Sequence, residues 1–142
     1  MRALLDVNVL IALLDAGHQS HFRARTWLLE NADNGWASCP ITQNGCIRIL
    51  SQPSYPNPIS TSDAIDRLAR ACANPHHEFW EDSVSLVDDK TIRSDRVHGP
   101  KQLTDLYLLA LAVKFGGRFI TFDGAIATTA VRAAKPSHLV VL

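Results

Sequence analysis

Short apolar runs alternate along this chain with longer segments of helical periodicity, and this alternation restricts the fold more than any other feature. A short apolar run predicts a buried strand, whereas apolar residues spaced three and four apart predict a helix. The expected strands are Ala3–Asp6, Trp36–Cys39, Glu78–Trp80, Val84–Val87, Arg118–Phe122 and His138–Leu142. The expected helices are Val7–Leu14, His18–Asn31, Ile41–Leu50, 62–73, Leu103–Phe115 and Asp123–Ala134. Strands that alternate with helices predict an α/β fold, a central parallel sheet with helices on both faces.

Length and loops predict a single domain that spans residues 1–142. A chain of 142 residues is close to the usual size of one domain. Ser51–Ser60 contains three prolines, which exclude a regular helix, but its flanks are too short to fold alone. Asp88–Pro100 is polar and charged, and we expect a loop there with some helix.

The composition excludes several classes of protein. Lysine plus arginine and aspartate plus glutamate number 14 each, so the net charge is zero and no overall positive field draws the chain onto nucleic acid. Three cysteines without a C-x-x-C spacing predict buried thiols rather than a disulfide framework or zinc site. Asp6 and Asn8 interrupt the first apolar stretch, so neither a membrane span nor a secretory signal is expected. These features predict a cytoplasmic protein.

Three aspartates fall at positions that can meet at one edge of such a sheet. Asp6 ends the first expected strand, Asp123 follows the Arg118–Phe122 strand, and Asp105 lies near the start of a strong helical pattern. Ligands of parallel sheets gather at the carboxyl ends of the strands. Clustered carboxylates repel one another and raise their pKa values unless a cation joins them. Oxygen ligands suit a hard ion such as Mg²⁺.

Each aspartate also has a simpler interpretation. Asp105 or Asp123 alone could be a helix cap or a partner of the helix dipole. Asp6 is harder to explain in this way because it interrupts an apolar run, and a buried carboxylate without partners costs several kcal/mol. Asp6 is therefore the strongest single indication of a site.

Four segments of the chain resemble the motifs of PIN-domain ribonucleases, in the right order. Leu4–Leu10 (LLDVNVL) is similar to the first motif, in which an aspartate at a strand end is followed two residues later by asparagine. Thr104–Ala112 resembles the helix that carries a metal-binding aspartate, and Ile120–Asp123 resembles the last metal-binding motif. Cys39–Leu50 is similar to the second motif, particularly as it occurs in VapC toxins of mycobacterial type.

The resemblance implies a function that the composition does not. It implies a single PIN domain, a Mg²⁺-dependent endoribonuclease in which Mn²⁺ could substitute, and metal ligands at Asp6, Asp105 and Asp123. It also implies the toxin of a type II toxin–antitoxin pair, a homodimer that cleaves RNA and is neutralised by a VapB-type antitoxin. Water activated at the metal would attack phosphorus in line and leave 5′-phosphate and 3′-hydroxyl ends.

One position departs from the family pattern. The second motif usually has a glutamate after its threonine, and here Gln43 follows Thr42. A glutamine can orient a metal-bound water through its carbonyl oxygen but supplies no charge, so Gln43 is predicted to be a weak member of the catalytic group. Three carboxylates favour one Mg²⁺ ion over two in the free protein.

Three further residues are candidates for supporting roles. Asn8 could orient Asp6 by a hydrogen bond, as groups around metal ligands do, or cap a helix. Thr121 could contact a metal-bound water or a carboxylate, or be an ordinary strand residue. Arg48 could bind phosphate or pair with the carboxylates, and a surface salt bridge is the simpler alternative.

Other protein classes fit less well. A phosphatase of the haloacid dehalogenase type needs a second aspartate where Asn8 stands, and a receiver domain needs paired early acids and a late lysine. A mononucleotide-binding domain would show a glycine-rich loop after the first strand. The alternative that stays open, because of Gln43, is a PIN-like module that binds RNA or protein and has lost catalysis.

Overall fold

A computed structural model describes all residues, 1–142. It contains a sheet of five strands, all paired in parallel. The strands are β1 (Ala3–Leu5), β2 (Trp36–Ser38), β3 (His77–Phe79), β4 (Arg118–Thr121) and β5 (Leu139–Val141). Five of the six expected strands are therefore present, and the predicted parallel α/β fold is confirmed.

The order of the strands in the sheet determines where a site can form. It is β3-β2-β1-β4-β5, so β2 and β3 lie on one side of β1, and β4 and β5 lie on the other. The order reverses between β1 and β4, and ligands of open parallel sheets bind in the crevice at such a reversal. Leu5 pairs with Ile120 across these two strands, so both strands end at the mouth of this crevice.

Five helices cover the sheet. They are α1 (Val7–Leu14), α2 (His21–Glu30), α3 (Pro40–Ser51), α4 (Thr61–Cys72) and α5 (Leu103–Lys114). Helices α1 to α4 pack on one another in sequence-adjacent and next-adjacent pairs, while α5 packs against β1 and β4. None of these helices is long and apolar enough to cross a membrane.

The alternating side chains of β1 divide the core into two layers. Ala3 and Leu5 belong to a cluster formed with α1, α3 and α4, and Leu4 belongs to a second cluster formed with α5. All three residues are at most 1 % exposed. A strand with apolar residues on both faces must be covered on both sides. Strand β1 is covered in this way and is the central strand of the sheet.

Two predicted elements are wrong. Val84–Val87 is a turn rather than a strand, since Val87 donates its backbone N–H to Ser85 Oγ at 3.3 Å and its side chain is 95 % exposed. The stretch Asp123–Ala134 is not a helix and contains only a short 3₁₀ turn at Thr128–Ala130. Its backbone bonds across to the loop at 91–93 instead: Ala130 accepts from the N–H of Arg93 and Arg132 donates to Thr91. These long-range bonds occupy groups that a helix would need.

Candidate active site

Asp6 stands at the end of β1 and begins α1. Its backbone N–H still donates to Ile120 of β4 at 2.9 Å, and its carboxylate Oδ1 accepts from the N–H of Val7 at 2.7 Å as the N-cap of the helix. The side chain is only 8 % exposed. Burial is the main reason that its pKa is raised, and nearby Asp123 raises it further. A carboxylate held in place by the fold, yet destabilised as an anion, is available to a cation.

Thr121, the last residue of β4, connects two of the aspartates. Its hydroxyl donates to Asp6 Oδ2 at 2.8 Å and accepts from the N–H of Asp123 at 3.1 Å. The residue is fully buried. The hydroxyl can only make both bonds with its proton directed at Asp6, so Thr121 fixes the orientation of that carboxylate. The side chain of Asp123 is in turn held by the N–H of Ala125 at 2.8 Å.

Asp105 enters the same region from the first turn of α5. Its pKa is raised to about 6, first by burial and then by the charges of Asp6 and Asp123. No hydrogen-bond donor of the chain lies on its carboxylate, in contrast to the other two aspartates. Asp105 is therefore close enough to Asp6 and Asp123 for their charges to act on it.

No cation of the chain neutralises these three carboxylates. The one ion pair in the structure joins Arg2 to Glu78, away from this site. An uncompensated group of oxygen donors fits a hard divalent cation. The side chains do not close tightly enough to enclose an ion by themselves, since no group of three such ligands converges on one point. A Mg²⁺ ion bound here would need water or substrate oxygens to complete its ligands, and Mg²⁺ usually keeps several waters.

A groove of about 540 Å³ opens beside Asp6 between α1, α3 and the start of α5. It is lined by Asp6, Val7, Asn8, Ile41, Asn44, Gly45, Arg48, Ile49 and Thr104. Helices α1 and α3 approach so closely here that a β-carbon at Gly45 would lie 2.7 Å from Val7 Cγ2. The groove lining thus brings the amides of Asn8 and Asn44 together with one arginine and the buried carboxylate.

Arg48 and Asn8 both reach this groove, but neither holds Asp6. Arg48 is exposed and forms no ion pair, so the simpler salt-bridge interpretation does not apply to it. Asn8 is exposed in the first turn of α1 and makes no hydrogen bond to Asp6. Thr121 and the N–H of Val7 orient Asp6, and Asp6 itself caps α1. Asn8 therefore neither orients Asp6 nor caps the helix, and it lines the groove.

Gln43 lies on α3 with its side-chain amide directed towards β2. Its amide Nε2 donates to Ser38 Oγ at 3.0 Å and lies 3.9 Å from Cys72 Sγ, and Gln43 is not among the residues that line the groove. Consecutive residues of a helix point about 100° apart, so Asn44 faces Asp6 while Gln43 faces β2 and α4. The sequence contained a signal for this, because Asn44 lies one helical turn before Arg48.

We predict that Thr121→Val slows the reaction of this site without unfolding the chain. Valine keeps the strand shape but leaves Asp6 Oδ2 without its donor, at a cost of about 1–3 kcal/mol. The expected result is a drop in kcat of roughly tenfold to a hundredfold, with little change in KM. Thr121→Ser keeps the hydroxyl and should retain most activity. Equal activity of the valine and serine variants would contradict the positioning role.

The fold and this cluster of carboxylates define a class of protein. The family described as PIN domain matches residues 3–131, which include every residue of the site. The chain therefore belongs to the PIN-domain family, as the four motifs implied.

Comparison with individual proteins assigns the chain to a group within this family. The chain is 59% identical to Ribonuclease VapC44 of Mycobacterium tuberculosis over 142 residues, 100% of both chains. It is 43% identical to Ribonuclease VapC39 of the same organism over 132 residues, 92% of this chain and 94% of that protein. Within the PIN-domain family the chain falls in the VapC group.

Solved structures share the fold at low sequence identity. VapC20 of Mycobacterium tuberculosis, described as a Sarcin-Ricin loop cleaving toxin, matches with a TM-score of 0.60 at 14% identity, covering 94% of this chain and 99% of its own. VapBC2 from Rickettsia felis, bound to a DNA fragment from its promoter, matches with a TM-score of 0.56 at 15% identity, covering 87% and 89%. These likenesses confirm the architecture.

Proposed function

We propose that this chain is the endoribonuclease toxin of a type II toxin–antitoxin pair and that it hydrolyses RNA with the help of Mg²⁺. The observation that carries the metal requirement is the group of three carboxylates at the β1/β4 crevice. Burial and the charges of Asp6 and Asp123 raise the pKa of Asp105, burial and the charge of Asp123 raise the pKa of Asp6, and no cation of the chain pairs with the three carboxylates. The ribonuclease activity is supported by the names of the full-length relatives.

The proposed metal ligands are Asp6, Asp105 and Asp123. A bound Mg²⁺ would supply Lewis acidity, which polarises a phosphoryl oxygen and makes water more acidic; Mn²⁺ could take its place. Thr121 keeps Asp6 in one orientation, so little reorganisation is needed when substrate arrives. Asp105 accepts no hydrogen bond, and its pKa of about 6 lets it take up or release a proton near neutral pH when no cation is present.

The groove beside Asp6 is the proposed RNA-binding surface. Arg48 is free to donate to a phosphate oxygen in a bidentate manner. Asn8, Asn44 and Thr104 supply neutral donors and acceptors along the same floor. Gln43 is not proposed as a ligand because the bond from its amide nitrogen to Ser38 directs the side chain towards β2. Attack by water on phosphorus breaks the bond to the ribose 3′-oxygen, which takes up a proton, and leaves a 5′-phosphate.

The expected result of metal removal tests this proposal directly. Purified protein in EDTA should lose RNA cleavage by at least about a thousandfold, since the metal supplies several kcal/mol, and added Mg²⁺ should restore it. Cleavage ends are identified by their ability to be ligated through a 5′-phosphate. Equal cleavage in EDTA, or 2′,3′-cyclic phosphate ends, would rule out the proposed chemistry.

The alternative function is an RNA- or protein-binding module without catalysis, first suggested by Gln43. Gln43 supplies no charge to the site whichever way its side chain points, so experiment must separate this alternative from catalysis. The binding module predicts that RNA is retained but never cut at any Mg²⁺ or Mn²⁺ concentration. The same EDTA and Mg²⁺ titration therefore separates the two functions.

We further propose a VapB-type antitoxin as the partner, a homodimer as the assembly and the cytoplasm as the compartment. The solved VapBC2 pair supports a toxin bound to its antitoxin. Co-purification with the product of an adjacent small reading frame tests the antitoxin. Light scattering after gel filtration tests the homodimer, and cell fractionation tests the compartment. A monomer at micromolar concentration would contradict the proposed dimer.

A further inference from the structure

A second polar cavity lies on the α5 side of the sheet. It has a volume of about 420 Å³ and is formed by the loop 83–91, the last turns of α5 and the segment 131–132. Ala110, Val113 and Val131 form its apolar floor. Cavities of 300–1,000 Å³ are the usual size of small-molecule sites, so its volume is sufficient for a ligand.

The wall of this cavity carries more positive than negative charge. Lys90, Lys114 and Arg132 line it together with a single acid, Asp88, which gives three positive charges against one negative charge, a surplus of two. None of the four forms an ion pair. The lining of this cavity is therefore more positive than the chain as a whole, whose net charge is zero.

Two of the cations are anchored by backbone carbonyls. Lys114 Nζ donates to the carbonyl of Ser83 at 2.7 Å, and Arg132 Nε donates to the carbonyl of Asp89. Each anchor uses one N–H of its side chain and leaves the remaining donors free. The positive charges are thus held at the loop that forms the cavity wall and are not spread over the surface.

A buried hydroxyl in the same wall has no partner. Ser83 Oγ is inaccessible to solvent and makes no hydrogen bond. Leaving a buried polar atom unpaired costs about 1–3 kcal/mol, and such groups are rare in native structures. A small movement of the loop 83–91 would expose this hydroxyl to a ligand in the cavity, and an acceptor on that ligand would then remove the cost.

The cavity is separate from the carboxylate site. Asp105 is in the first turn of α5, whereas Ala110, Val113 and Lys114 lie in its second half. At 1.5 Å per residue, Lys114 is roughly 13 Å along the helix axis from Asp105. None of the groove residues beside Asp6 lines this cavity.

We propose that this cavity binds a phosphate group. Surplus positive charge, free lysine and arginine N–H donors and an unpaired hydroxyl are the groups that recognise phosphate oxygens. The phosphate can come from a free nucleotide, whose base would cover the apolar floor, or from the backbone of an RNA chain. The inference does not rest on the proposed ribonuclease activity, since binding is measured without cleavage.

The test is calorimetric titration of the full chain with inorganic phosphate and with adenosine 5′-monophosphate, and fluorescence titration with a short RNA in EDTA. The variants are Lys90→Ala and Ser83→Ala. The matched control is Lys135→Ala, which removes an exposed lysine outside the cavity. Thermal unfolding checks each variant, and Ser83→Ala should be at least as stable as the wild type because it removes an unpaired buried hydroxyl.

We expect phosphate binding by the wild type, about tenfold weaker in Lys90→Ala and weaker by a similar factor in Ser83→Ala. Lys135→Ala should bind as the wild type does. If the variants weaken the mononucleotide but not RNA, the ligand is a free nucleotide; if they weaken RNA, it is a backbone phosphate. No binding at millimolar phosphate, or an equal loss in Lys135→Ala, would overturn the proposal.

Discussion

Asp6→Asn is expected to abolish RNA cleavage while leaving RNA binding intact. The substitution removes the charge of the most buried carboxylate, which Thr121 and Val7 hold in one orientation. A loss of about 4 kcal/mol in transition-state stabilisation corresponds to roughly a thousandfold in kcat. Affinity for RNA should be unchanged or tighter, because one negative charge facing the phosphates is gone. Single-turnover cleavage and fluorescence anisotropy measure the two quantities separately.

The matched control for this variant is Asp66→Asn, which makes the same chemical change on the exposed face of α4. It should cleave RNA at the wild-type rate. Sequencing of cleavage ends in cells that express the wild type or Asp6→Asn extends the comparison and identifies the RNA. Cleavage by Asp6→Asn within a factor of about ten of the wild type would remove Asp6 from the reaction.

Asp105→Asn is expected to stabilise the metal-free protein at neutral pH while it inactivates the enzyme. The pKa of Asp105 is about 6 in the fold against 3.8 for the unperturbed group. Between these values the unfolded chain releases a proton that the folded chain retains, so this group lowers stability as pH rises from about 4 to about 6. The full difference corresponds to about 3 kcal/mol, and solvent screening at this partly exposed site reduces it to about 1–2 kcal/mol.

The measurement is urea unfolding in EDTA at pH 4 and pH 7.5. Asp105→Asn should match the wild type at the lower pH and exceed it by about 1–2 kcal/mol at the higher. Added Mg²⁺ should stabilise the wild type more than the variant, since an ion that binds only the native state adds to its stability. A variant less stable than the wild type at pH 7.5 in EDTA would show that burial and the neighbouring charges do not destabilise the Asp105 anion.

Several elements could be predicted because their signals are local. The periodic segment Leu103–Phe115 agrees with α5 to within a residue, and the short apolar run before Asp6 agrees with β1. The stretch Asp123–Ala134 could not be predicted in this way. Its backbone groups bond to residues 91–93, more than thirty positions away, and no local pattern of side chains encodes that partner.

The residues of the site, like the elements of the fold, could be predicted only in part. The three aspartates could be identified from their positions after strands and at a helix start. The roles around them depended on directions that spacing does not give: Thr121 orients Asp6, Asn44 faces the groove, and Gln43 turns to Ser38. Consecutive residues of α3 point about 100° apart, so Asn44 and Gln43 cannot both face the groove. The packing of α3 against α1 determines which of them does.

The parallel α/β fold of a single domain followed from the amino-acid sequence, which also singled out three aspartates as candidate ligands, because hydrophobicity and periodicity are properties of short segments. The tertiary structure alone decided that β1 and β4 meet at the reversal of strand order. It also decided that the carboxylates there have no cationic partner and that a second, positively charged cavity forms at the far end of α5. These features depend on contacts between distant segments, and such contacts exist only once the chain has folded.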